Sequence, residues 1–371
     1  MHVGIPTETK NNEFRVAITP SGVAELTRRG HEVLVQAGAG EGSSIPDSEF
    51  KAAGAQLIAA AEGVWADADL VLKVKEPTPI EYSRMRQGQT LFTYLHLAAS
   101  RSCTEALLAA GTTSIAYETV QTPDGALPLL APMSEVAGRL SAQVGAYHLM
   151  RTHGGRGVLM GGVPGVEPAA VVVIGAGTAG YNAARVAIGM GAAVTVLDVN
   201  INRLRELDHM FAGRVQTRYS TALEVEQAVK QADLVIGAVL LPGGKAPTLV
   251  SKSLVGQMKP GAVLVDIAID QGGCFQDSRP TTYDDPTFAV HDTLFYCVAN
   301  MPAAVPKTST YALTNATMPY AIELADNGWR DACGLNPALA KGLSTHDGAL
   351  LCQRVAADLG LPFTDPAALL V

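Results

Sequence analysis

The sequence predicts an α/β chain of two Rossmann-like, doubly wound domains, one inserted between the two parts of the other. Three observations carry that expectation. The first third alternates short β-type runs with helical stretches. A glycine-rich turn, Gly175-Ala176-Gly177-Thr178-Ala179-Gly180, sits between a β-branched run and an alanine-rich helical pattern. The chain has 371 residues, more than one ordinary core holds, since domains usually run to about 100–200 residues.

Each element follows from local pattern. Residues 3–6, 32–37, 70–75, 90–95 and 114–119 are short apolar runs that read as strands. Between them, residues 20–29, 48–53 and 103–110 have helical spacing, and Gly38-Ala39-Gly40 reads as a loop. Residues 134–150 form a long helical pattern that links two domains. The run 154–165 is rich in glycine yet holds Val158, Leu159 and Met160. A flexible linker is more polar, so a packed loop or arm at a subunit contact is expected. The second domain begins at Ala169 with a strand, the glycine turn, a helix over 181–190 and a strand over 193–198. Further strands are expected at 234–239, 263–267 and near 294–299. From Tyr311 onward the pattern is mostly helical, and a helix starting near Ser309 returns the chain to the first domain. The expected division is 1–128 with 308–371, and 129–307.

Composition narrows the function. A hydrophobic fraction of 48% with 17% charged residues suits buried strands and argues against disorder. The net charge of −8 leaves no basic footprint for nucleic acid. No apolar run reaches about 18 residues, so no membrane span is expected, and the first residues lack the pattern of a secretory signal. Cys103, Cys274, Cys297, Cys333 and Cys352 are odd in number, scattered and free of C-x-x-C spacing. They read as reduced thiols of a cytoplasmic protein with no required metal. Glu323 and Asn327 are spaced i, i+4, but Asn is a poor ligand for most transition metals.

The glycine turn has the context that dinucleotide binding requires. Gly175 permits the tight turn, Gly177 lets a pyrophosphate approach the backbone, and Gly180 lets helix and strand pack closely. The helix N-terminus then offers unpaired N–H groups to phosphate. Asp198 ends the next strand, about 20 residues on, where a carboxylate accepts from a ribose 2′-hydroxyl and repels a 2′-phosphate. NAD is therefore favoured over NADP, although nearby Arg203 could receive a 2′-phosphate.

Longer blocks resemble a known family. Gly4-Ile5-Pro6-Thr7-Glu8, Glu13-Phe14-Arg15-Val16-Ala17-Ile18-Thr19-Pro20, Lys73-Val74-Lys75-Glu76-Pro77, Tyr94-Leu95-His96-Leu97 and Pro132-Met133-Ser134-Glu135-Val136-Ala137-Gly138 are similar to bacterial alanine dehydrogenases, especially those of mycobacterial type. So are Asp266-Ile267-Ala268-Ile269-Asp270-Gln271-Gly272-Gly273, Asn300-Met301-Pro302 and residues 308–319. The resemblance implies NAD-dependent interconversion of L-alanine with pyruvate and ammonium, by hydride transfer between the alanine Cα and nicotinamide. It makes 1–128 with 308–371 the substrate domain and 129–307 the NAD-binding domain, and it implies a homohexamer.

By the same resemblance, Arg15, Lys75, Tyr94, Met133 and Asn300 bind substrate, and His96 and Asp270 are catalytic. A guanidinium fork suits a carboxylate, and an imidazole that titrates near neutrality suits the proton transfers of an amine-to-ketone conversion. Which of His96 and Asp270 is the principal base stays open. Implied cofactor contacts are Ser134, Thr178, Ala179, Asp198, Arg203, Ser220, Val239, Leu240, Ile267, Asp270, Val298, Asn300 and Met301, beside the three glycines. Two other readings remain. The chain is also similar to the NAD-binding part of proton-translocating transhydrogenases, and a related dehydrogenase could act on a larger amino acid.

Overall fold

The computed structural model describes residues 1–239 and 246–370. The chain divides into two compact units, Met1–Met133 with Ala303–Val371, and Ser134–Pro302. The first unit holds β1 (His2–Ile5), α1 (Pro20–Arg28), β2 (Glu32–Gln36), α2 (Asp47–Ala52), β3 (Gln56–Ile58), α3 (Ala61–Asp67), β4 (Leu70–Leu72), β5 (Thr90–Thr93), α4 (Arg101–Ala110) and β6 (Thr113–Ala116). Helix α5 (Ala131–His148) leads out of it. The second unit holds β7 (Ala170–Ile174), α6 (Thr178–Gly189), β8 (Ala193–Asp198), α7 (Ile201–Phe211), β9 (Val215–Tyr219), α8 (Ala222–Gln231) and β10 (Leu234–Gly237). It ends with α9 (Lys252–Val255), β11 (Val263–Asp266), β12 (Thr287–Val290) and β13 (Thr293–Tyr296). The chain re-enters the first unit through α10 (Pro306–Leu335), α11 (Pro337–Ala340), β14 (Leu343–His346), β15 (Ala349–Leu350) and α12 (Gln353–Leu359).

Both sheets repeat one topology. In the first, the order β3-β2-β1-β4-β5-β6 is parallel throughout, and β14 and β15 extend it as an antiparallel edge. In the second, β9-β8-β7-β10-β11-β13 is parallel, with β12 antiparallel at the edge. With the parallel strands numbered within each unit, this is the doubly wound order 3-2-1-4-5-6. The strands are apolar without alternation because both faces are covered. Thus Val171 and Val173 join one buried cluster, whereas Val172 and Ile174 join another. In such sheets ligands gather where the order reverses, outside the carboxyl ends of the strands. Those places are the loops after β1 and β4, and after β7 and β10.

The mostly helical pattern expected for the tail is corrected at 343–350, where a short hairpin forms. Asp347 (φ +45°) and Gly348 (φ +79°) supply its turn, and Asp-Gly is a strong hairpin signal. Strands β3, β9 and β12 and helices α3, α7, α8 and α9 lie outside the elements expected from sequence. Several expected strands also end earlier. β4 stops at Leu72, β5 at Thr93 and β6 at Ala116. In the run 154–165, Gly155 packs so closely that a Cβ would lie 2.1 Å from the His148 carbonyl oxygen. Its tip makes a bridge between Val163 and Val166 and leaves Leu159, Val163 and Val166 exposed.

Candidate active site

The first unit gathers five of the expected site residues around the ends of β1, β4 and β5. Arg15 lies in the β1–α1 loop and is 2% exposed. Its guanidinium grips Glu13 with two bonds, Nε to Oε1 at 2.6 Å and Nη2 to Oε2 at 2.5 Å. Nη1 donates to the Met133 Sδ at 2.9 Å. Burial opposes the Arg15 charge, but the adjacent Glu13 carboxylate outweighs it and holds the guanidinium protonated.

The early end of β4 puts Lys73 and Lys75 in the following loop. Lys73 is fully buried and pairs with Glu8 at 3.1 Å and Glu81 at 3.0 Å. Burial disfavours its charge, and the two carboxylates outweigh that. Glu8 also accepts the N–H groups of Val74 at 2.6 Å and Lys75 at 3.3 Å, which fixes the loop. The Lys75 side chain is buried, with Nζ 5.9 Å from the Tyr94 ring centroid. Glu76 pairs with Lys10 at 2.5 Å. Burial pushes the Glu76 carboxyl up, but Lys75 and Lys10 outweigh it, His96 adds to them, and the group sits below its ordinary range.

Tyr94 and His96 follow β5 with their rings stacked, centroids 5.8 Å apart. The Tyr94 hydroxyl donates to the Leu129 carbonyl at 2.5 Å, and burial drives the phenol far above its usual range despite Arg15. Tyr94 is therefore a protonated wall rather than a base. His96 adopts φ +47° and ψ 41°, a left-handed conformation that costs a non-glycine residue roughly 1–2 kcal/mol. Glu118 offsets that cost by accepting the His96 N–H at 2.6 Å and the Leu95 N–H at 3.2 Å. Two cations, an imidazole, an aromatic wall and a thioether thus adjoin one another, a set suited to a small carboxylate.

The second unit holds the glycine turn between β7 and α6. Gly175 has φ +106°, and a Cβ there would lie 2.7 Å from the Ala238 carbonyl oxygen. A Cβ on Gly180 would lie 1.7 Å from the Gly175 carbonyl oxygen, so helix and strand pack too closely for any side chain. Gly177 caps α6 without a side-chain partner, and a Cβ there meets nothing within 4 Å. Packing thus demands Gly175 and Gly180, whereas Gly177 faces open space, and that space beside the first N–H groups of α6 fits a pyrophosphate. Asp198 ends β8 and accepts the N–H groups of Ala176 at 2.6 Å and Asn200 at 2.7 Å. Its carboxylate is fixed beside the turn with lone pairs to spare for a ribose.

Other expected contacts are placed as follows. Thr178 is exposed, and Ala179, Ser134, Ser220, Val239 and Ile267 are half-buried. Arg203 is exposed and pairs with Glu206 at 2.8 Å. The side chains of Val298 and Met301 belong to the core, which leaves their backbone for any ligand. Asn300 has φ +63°, and its carbonyl accepts from the Tyr283 hydroxyl at 3.4 Å. Asp270 is exposed in a helical turn, Ile267–Gln271, after β11. Leu240 lies outside the described residues. Among the described residues no cluster of His, Cys, Asp or Glu is arranged to hold a metal ion, and no helix is long and apolar enough to cross a membrane.

Sequence reasoning missed the groups that hold these residues in place: Glu13, Glu8, Lys73, Glu81, Glu118 and Asp266. Buried Asp266 staples both ends of the Asp270 turn, accepting the N–H groups of Ala268 at 3.0 Å and Cys274 at 2.8 Å and the Ser278 hydroxyl at 2.5 Å. One signal was present. Lys73-Val74-Lys75 closes an apolar run, and a lysine buried there, as Lys73 is, calls for carboxylates; no spacing says which.

Residues 4–137 match the family described as alanine dehydrogenase/PNT, N-terminal domain, and residues 141–353 match its C-terminal domain. An alanine dehydrogenase of Mycobacterium tuberculosis is 81% identical over 370 residues, 100% of both chains. A solved L-alanine dehydrogenase is 49% identical with a TM-score of 0.93, over 97% of this chain and 99% of that one. A transhydrogenase structure from Sinorhizobium meliloti is 25% identical with a TM-score of 0.79, over 95% of this chain and 99% of that one. With both domains matched and full-length likeness to its relatives, the chain belongs to the alanine dehydrogenase/PNT family.

Proposed function

We propose that this chain is an NAD-dependent L-alanine dehydrogenase, converting L-alanine to pyruvate and ammonium and the reverse. The reading rests above all on the adjoining of Arg15, Lys75, Tyr94, His96 and Met133 in a chain so similar to alanine dehydrogenases along its whole length. When bound, the nicotinamide supplies the redox chemistry, taking hydride from the alanine Cα or returning it. The cradle for its dinucleotide is Gly175, Gly177, Gly180 and the start of α6, with Asp198 on the ribose. Ser134, Thr178, Ala179, Arg203, Ser220, Val239, Ile267, Val298, Asn300 and Met301 line it.

The remaining work belongs to the chain. Arg15, oriented by Glu13, supplies the guanidinium that faces the substrate carboxylate, and Lys75 adds a second cation. Tyr94 and Met133 bound the pocket and exclude water, which strengthens both attractions. His96 and Asp270 share the proton transfers on nitrogen and oxygen, and Asn300 orients the substrate. The reading extends to a homohexamer in the cytoplasm, supported by the family likeness, by the exposed apolar tip at Val163 and Val166, and by five unpaired cysteines.

The test is NADH formation from L-alanine at alkaline pH, beside other amino acids. Turnover with alanine, lost by at least about 100-fold in His96→Ala with NADH binding kept, is the expected result. Folded protein that binds NADH yet turns over no amino acid would instead match a transhydrogenase-like module. Light scattering of the purified protein checks the hexamer.

A further inference from the structure

We infer that Glu118 is a positioning residue for the reaction, acting through the backbone of His96; this deepens the active-site reading and rests on it. Three observations meet at that carboxylate. First, Glu118 sits in the helical turn Tyr117–Thr119 directly after β6, beside the strand end that carries Tyr94 and His96. Second, its two oxygens are turned on consecutive N–H groups. Oε1 accepts from His96 at 2.6 Å, and Oε2 accepts from Leu95 at 3.2 Å, with a longer Oε1 contact to Leu95 at 3.3 Å. Third, among the described residues Glu118 forms no salt bridge, so its charge is devoted to this backbone.

The geometry explains why a carboxylate is needed there. After β5 the chain turns sharply, and His96 takes a left-handed conformation that a histidine rarely adopts. That turn sets the direction of Cβ and hence the stacking of the imidazole on Tyr94, whose ring in turn lies under the Lys75 ammonium. Ordinary strand pairing cannot satisfy two N–H groups aimed at one point, whereas a carboxylate accepts both in charge-assisted bonds. Without Glu118 the His96 backbone is free to relax towards a commoner conformation, and the imidazole leaves the reach of the proton it transfers. Misplacement by about 1 Å can cost roughly 100-fold in rate. Arg15 and Lys75 are fixed by other carboxylates, Glu13 and Glu8, so substrate affinity is spared.

The experiment is a double-mutant cycle on the full-length protein, with NADH binding as the check of folding. Glu118→Ala is expected to lower kcat for alanine by about 10- to 100-fold with KM changed by less than about threefold. Glu118→Gln, which keeps one acceptor for the His96 N–H, recovers at least part of the loss. In a His96→Ala background, Glu118→Ala should cost almost nothing more, because residues acting as one unit are not additive. A general structural role gives the same factor in both backgrounds and overturns the inference, as does a kcat within about threefold of wild type in Glu118→Ala. If Glu118→Ala fails to bind NADH, Glu118→Gln carries the same cycle, with a smaller drop in kcat that again vanishes when His96 is absent. Undiminished turnover in His96→Ala alone refutes the active-site reading itself, a separate failure.

Discussion

Gly177→Ala separates folding from cofactor binding more cleanly than any other change in the glycine turn. Gly177 has φ −70° and ψ −168°, a region open to alanine, and an added methyl meets nothing within 4 Å. Alanine at a helix cap is worse than glycine by roughly 0.5 kcal/mol, while the stiffer unfolded chain returns about 0.4–1 kcal/mol. The two nearly cancel. Since 1 kcal/mol moves Tm by roughly 2–4 °C in a unit of this size, Tm should stay within about 2 °C. The methyl would instead stand where the pyrophosphate approaches. Losing one charged hydrogen bond there costs about 1.5–3 kcal/mol, or roughly 10- to 100-fold in Kd. Titration of NADH by fluorescence, with thermal melts of the same samples, reads both quantities. Unchanged affinity in an intact fold would mean that the dinucleotide does not pass Gly177. A fall in Tm of about 5 °C or more would refute the open-space argument. Gly180→Ala, with its 1.7 Å clash, must destabilise in the same melt.

The buried charges give three further tests. Lys73→Met strands Glu8 and Glu81 and should cost about 3–5 kcal/mol, whereas Lys75→Met, whose ammonium has no salt bridge among the described residues, should leave Tm within about 2 °C while abolishing alanine turnover. Equal melting points for the two variants would contradict this contrast. Glu76 is held below its ordinary 4.5, so the unfolded chain takes up the proton first, and the stabilisation is present above that pH and lost as pH falls through the lowered value. The Tm gap between wild type and Glu76→Gln should therefore shrink from about pH 6 to pH 3.5, and a gap independent of pH would exclude the effect. Finally, burial pushes the thiols of Cys103, Cys274, Cys297 and Cys333 up to about 12. A disulfide reagent should titrate no more than Cys352 rapidly in native protein and all five after denaturation, and a second fast thiol would disprove the packing.

What the sequence revealed depended on how local the determinant was. The glycine turn was legible because strand, turn, helix and acidic residue lie within one βαβ stretch, and each has its own residue type. The hairpin at 343–350 carried its Asp-Gly signal, but a mostly helical reading of the tail absorbed it. β9 escaped because it is an edge strand with one buried residue, Val215, at its start, and so lacks the apolar run of its neighbours. In the first unit, Arg15, Lys75 and His96 could be named only through likeness to a family. Alone, each is an ordinary charged or polar residue, and their loops converge only once the strand order is known. Their supports were hidden further. Glu118 acts on backbone N–H groups, which every residue has, and so leaves no partner to search for.

The two units carry the same strand order but solve the problem of an anionic ligand by different physics. In the second, the proposed ligand position is made from backbone donors at a helix end, and among the described residues no buried cation is committed there; glycine is the scarce requirement because only close approach brings those dipoles to bear. The first must hold something with far fewer atoms to grip. It therefore buries whole charges, and among the described residues the buried Arg15 pairs with Glu13 and the buried Lys73 with Glu8 and Glu81. Lys75 is the exception. Its backbone is pinned by Glu8, its ammonium lies over an aromatic ring, and the Glu76 carboxylate feels its charge without forming a salt bridge to it. A buried cation without a direct ion pair is only partly compensated until an anion arrives. On the proposed reading this attraction is reserved for the substrate carboxylate, and a carboxylate engineered beside Lys75 should act as an internal inhibitor.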